Sequence, residues 1–113
     1  MSEYQHKDLA AGKWAELSLA TQMVNIGSEI SRANRWKAKG AQDHCVNAVY
    51  RALELISLTI DAQIGKHSLT ELTRLYEFVA DYYLGDQIYP VDGAWLQRYF
   101  DSFIYQYLKE KAL

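Results

Sequence analysis

This chain of 113 residues is short of the residues that staple, punctuate or anchor a protein. With a single cysteine, Cys45, it cannot form an internal disulfide, which excludes a disulfide scaffold and suits a reducing compartment. Its one proline, Pro90, leaves the rest of the chain free of the strongest helix breaker. No stretch approaches the ~20 consecutive apolar residues of a membrane span, and the N-terminal MSEYQHKDLAAGKW lacks the apolar core of a signal peptide. The expectation is a cytoplasmic protein that makes no membrane contact. A formal charge of -2 forecasts neither a general nucleic-acid binder nor an acidic tail.

Apolar side chains, by contrast, make up 50% of the sequence and aromatic ones 13%, with nine tyrosines and three tryptophans. That composition belongs to a globular helical protein, and the length to a single domain spanning residues 1–113. From Asp8 to Lys39, the residues Leu19, Met23, Ile26, Ile30 and Ala33 recur at the helical period, predicting one long helix or two in line. Gly27, beside Ser28, marks a bend or a close helix crossing, and Gly40 a left-handed stop. A second helix is expected over Gln42 to Ala62, with Val46, Val49, Leu53, Ile56 and Ile60 inward and Gly65 at its end.

Ser68 and Glu71 form the pattern of a capping box for a third helix, with Leu72, Leu75, Val79 and Tyr82 or Tyr83 inward and Gly85 closing it. Pro90 interrupts the chain, and Asp92 is placed to cap a last helix whose stripe is Leu96, Tyr99, Phe100, Phe103, Ile104 and Tyr107. Four helices with short connections predict an all-α fold, an antiparallel four-helix bundle in up-down-up-down order.

The residue types that carry common chemistries are scattered. His6, His44 and His67 stand far apart, and His44 with the adjacent Cys45 projects about 100° away on a helix, so no metal site or cofactor is expected. Glycine-rich phosphate loops and Glu-x-x-His tetrads are absent from the sequence. Two groups of charges remain. SRANRWKAKG gathers Arg32, Arg35, Lys37 and Lys39 around Trp36, a pattern able to hold phosphate and stack on a base, or simply to complement a helix C-terminus. Spacings of three and four place Arg51 with Glu54, Arg74 with Glu77, and Glu77 with Asp81 on common helix faces, a set of charges that forms either rim ion pairs between opposite signs or a polar site.

The stretch RLYEFVADYYLGDQIY, Arg74 to Tyr89, resembles the last part of the HEPN domain, a small helical-bundle family of bacterial toxins, CRISPR nucleases and partners of minimal nucleotidyltransferases. There, a late helix carries an arginine, a polar residue and then a histidine. The resemblance implies RNA cleavage at a dimer interface by those residues. Here the arginine and polar flavour are present in Arg74 and Glu77, but Asp81-Tyr82-Tyr83 falls where histidine-x-tyrosine would, and no histidine follows His67. A carboxylate cannot act as both donor and acceptor at neutral pH as an imidazole does. AVYRALELISLTIDAQ is similar in texture to the flagellar export chaperone, which binds a disordered partner.

The expected function is therefore non-catalytic: an interaction module of a bacterial defence, toxin-antitoxin or regulatory system, working as a homodimer or on a protein partner. Its surface is expected around Trp95 and Tyr105, off the stripe of the last helix, with Tyr76 and Phe78 on the third. The rival expectation is an RNA-directed enzyme in which Arg74, Glu77 and Asp81 recruit Mg²⁺ while Arg32 and Arg35 grip phosphate.

Overall fold

The computed structural model describes residues 12–66 and 69–112, and every regular element in them is helical. Five helices follow one another: α1, Leu19–Ala38; α2, Gln42–Ala62; α3, Leu69–Leu84; α4, Gly93–Asp101; and α5, Ile104–Ala112. Residues 12–15, which precede them, are also helical. The helix start expected at Asp8, the capping serine Ser68, and both His6 and His67 lie outside the described residues.

The first helix differs from its predicted extent. The chain leaves helical geometry at residues 16–18 and re-enters at Leu19, because Ser18 adopts an extended conformation and its hydroxyl accepts the backbone N–H of Thr21 at 3.1 Å. The preceding turn is fastened separately. The Trp14 indole donates to Thr59 Oγ1 at 2.9 Å, and the buried Gln22 amide donates to the Trp14 carbonyl at 2.9 Å. α1 then runs unbroken through Gly27, which serves the crossing and does not end the helix. A Cβ at Gly27 would stand 2.9 Å from Phe100 Cβ, so the missing side chain lets α4 lie close against α1.

Gly40, with a positive φ of 74° just past the Lys39 cap, ends α1 as the left-handed stop requires, while Gly65, φ 83°, lies in the turn that follows α2, where Lys66 N–H meets the Gln63 carbonyl at 2.8 Å. Asp92 caps α4 through Oδ1, which accepts the Trp95 N–H at 2.8 Å. The last helix, expected to be continuous, is divided. Ser102 N–H is shared between the carbonyls of Arg98 and Tyr99, its hydroxyl donates to the Tyr99 carbonyl at 2.6 Å, and Phe103 N–H turns to Phe100 O. These tighter bonds break the helical ladder at residues 102–103.

α1 packs against α2, α4 and α5, and α2 also packs against α3. The core joins Met23, Ile26, Ile30 and Ala33 of α1 to Val49, Leu53 and Ile56 of α2, Leu72, Leu75 and Val79 of α3, and Leu96 and Phe100 of α4. α5 contributes no buried residue; Ile104, assigned inward by periodicity, is 40% exposed because the break at 102–103 interrupts the stripe.

Candidate functional site

The three acidic and basic residues read as a possible site on α3 go separate ways. Asp81 directs both carboxylate oxygens at the following loop, Oδ1 accepting the Ile88 N–H at 3.0 Å and Oδ2 the Tyr89 N–H at 3.1 Å. It thereby holds the chain where it turns toward Pro90, around Gln87 with its positive φ of 58°. Arg74 and Glu77 are exposed and form no ion pair with each other. Arg51 reaches Glu29 on α1 at 3.3 Å, the same Glu29 oxygen that Arg32 meets at 2.9 Å. Such partly exposed pairs contribute at most about 1 kcal/mol. Among the described residues, no cluster of three His, Cys, Asp or Glu side chains is arranged to hold a metal ion.

Because Asp81 fastens two backbone donors, Asp81→Ala should lower stability by about 1–3 kcal/mol and loosen residues 85–89. Urea denaturation measures the first effect and amide exchange the second. An unchanged midpoint together with unchanged exchange would show that the loop is held by something else.

The basic end of α1 is divided too. Arg32 turns to Glu29, and Trp36 is half-buried and stacks on His44, with centroids 4.5 Å apart and planes inclined by 30°. The Lys39 ammonium lies 5.4 Å from the Trp36 ring, while that of Lys37 lies 5.5 Å from the Tyr82 ring. Arg35 and Lys37 instead line a shallow groove of about 860 Å³ with Asn34, Tyr82, Gln97 and Arg98. Arg98 is the cation that sequence reasoning missed; it arrives from α4, and no local pattern links it to Arg35.

The aromatic residues expected at the surface form two groups. Phe78 of α3 meets Trp95 of α4 edge-on, centroids 5.7 Å apart, and Trp95 lies nearly parallel to Tyr99 at 5.8 Å. Tyr76, Phe78 and Trp95 are half-buried and pack against the core. The Tyr99 hydroxyl donates to the Glu71 carboxylate. Burial, and then that bond, push the Tyr99 phenol well above its ordinary value.

Tyr105 is the exception among these residues, 74% exposed on α5 beside Leu108 at 58% and Ile104 at 40%. Positions 104, 105 and 108 share one side of the helix. α5 is fastened to the start of α1, where Ser18 Oγ donates to Glu110 Oε1 at 2.6 Å. That bond, with a second from Gln106, draws the Glu110 carboxyl below its usual range.

No protein-family model matches the chain, and no curated protein or solved structure matches it significantly.

Proposed function

We propose that this chain is a non-catalytic helical interaction module that pairs with a second copy of itself through α5, in the bacterial defence, toxin-antitoxin or regulatory setting that the HEPN resemblance implies. The observation that carries this reading is the ridge of Ile104, Tyr105 and Leu108, apolar and solvent-exposed on a helix that has no fully buried residue. Adjacent large apolar side chains left in water mark a surface that another protein covers. A two-fold pair would lay the same ridge against itself, the simplest closed arrangement. α1 to α4 provide the scaffold, read as the four members of an antiparallel bundle, and α5 is the appended contact helix. The division of Arg74, Glu77 and Asp81 between solvent and loop supports a role without catalysis.

Size exclusion with light scattering tests the reading on wild type and on a Tyr105→Glu, Leu108→Glu double variant. The expected result is a wild-type dimer and a variant monomer with unchanged circular dichroism, since neither side chain is buried. A wild-type monomer, or a variant that stays dimeric, would overturn it.

A second reading, contact with RNA, draws on the groove where Arg35, Lys37 and Arg98 meet. Titrating the same samples with labelled single-stranded RNA separates the two readings: phosphate contact gives an affinity that falls steeply with salt. It should weaken in Arg35→Gln and Arg98→Gln and be indifferent to the α5 substitutions.

A further inference from the structure

The cleft between α3 and α4 has no part in that reading. Its walls are mainly apolar and aromatic: Leu75 and Phe78 come from α3, while Trp95 and Tyr99 come from α4. It encloses about 360 Å³ and opens to solvent. Pockets that hold small molecules begin at roughly 300 Å³, and combine such walls with a few polar groups that set orientation.

Two charged side chains line the cleft, Glu71 and Arg74. They differ in what they already hold. Glu71 accepts the Tyr99 hydroxyl, so one of its oxygens is engaged. The Arg74 side chain has neither an ion pair nor a hydrogen bond among the described residues. A guanidinium presents a planar fork of donors that matches a carboxylate at two points. Glu71 keeps its negative charge but has an oxygen already engaged, whereas the donors left without an acceptor are those of Arg74, and the surface left to be covered is aromatic.

We propose that this cleft binds a small aromatic carboxylate, its ring against Phe78 and Trp95 and its acid group on Arg74. The ring would lie on exposed apolar surface, and the acid would supply the paired acceptor that no described residue gives the Arg74 side chain. Tyr99 has a positioning part: by engaging Glu71, it holds the one acidic group in the cleft in a fixed place.

Cinnamate, cinnamyl alcohol and cinnamylamine share one shape and differ in charge, so titrating each into isotope-labelled protein tests the assignment. The indole N–H signal of Trp95, identified with a Trp95→Phe variant, is the readout. Cinnamate should shift that signal to saturation. The alcohol should bind about tenfold more weakly, as expected on losing one charge-assisted contact, and the amine more weakly still. Arg74→Gln, at an exposed position, should fold as wild type, lose about tenfold in cinnamate affinity, and leave the alcohol's affinity unchanged. The proposal fails if cinnamate leaves the Trp95 signal unmoved, if the amine binds as well as the acid, or if Arg74→Gln binds cinnamate like wild type.

Discussion

Phe100→Ala should destabilise the fold by about 3–5 kcal/mol, the range for deleting a buried aromatic ring from a core. Phe100 is fully buried and sits where α4 crosses α1 over Gly27. The alanine variant loses the transfer energy of the ring and leaves a void that two rigid helices cannot close. The reciprocal change has the same sign. Gly27→Ala improves intrinsic helix propensity by about 1 kcal/mol, yet the new methyl would stand 2.9 Å from Phe100 Cβ, an atom anchored at the backbone that can yield only if α4 moves. Both variants should therefore have lower urea midpoints, Phe100→Ala by more. A loss below about 1 kcal/mol for Phe100→Ala would mean that the crossing is not a principal contact of the core.

Asn34→Ala is expected to cost about 2–4 kcal/mol, from two polar groups that lose their partner at once. Asn34 links three helices: its Nδ2 donates to the Gly93 carbonyl at 3.0 Å, and its Oδ1 accepts from the Tyr83 hydroxyl at 2.5 Å. The junction is tight enough that a Cβ on Gly93 would come within 2.3 Å of Asn34 Oδ1. Burial, with smaller contributions from Tyr82, Cys45 and Asp92, raises the Tyr83 phenol above its ordinary 10.0. The unfolded chain ionises near 10.0 while the folded one stays protonated, so this contribution to stability is complete below pH 10.0. It is lost as pH rises from there through the folded value. Denaturation followed at neutral and at alkaline pH measures both effects. An Asn34→Ala variant as stable as wild type would remove the junction from the account of the fold.

The features legible in the sequence were those set by local chemistry. α2 ends where its glycines and periodicity place it, and Asp92 caps α4 because a short carboxylate before a helical stretch meets a free N–H. The features that escaped depend on residues far apart. The alanine-rich stretch around Ser18 reads as continuous helix, and its capping role becomes visible only with Thr21 turned onto its hydroxyl. The break at Ser102 involves neither glycine nor proline; a serine hydroxyl bonded to a carbonyl three residues back accompanies it. Asp81 shares a helical face with Glu77, which suggests a polar site, but the loop beyond Gly85 folds back and supplies two N–H groups that its carboxylate binds. Arg51 finds Glu29, twenty-two positions away in sequence, a pairing that helical spacing alone cannot foresee.

The interruption at residues 102–103 also divides the C-terminal region thermodynamically. α4 is tied to global unfolding, since releasing it would expose Leu96 and Phe100, whereas α5 holds no buried side chain of its own and can open at a lower free-energy cost. If the ridge on α5 is covered by a second copy, assembly also adds cooperativity: it draws the least protected helix of the protomer into the same all-or-none transition as its core.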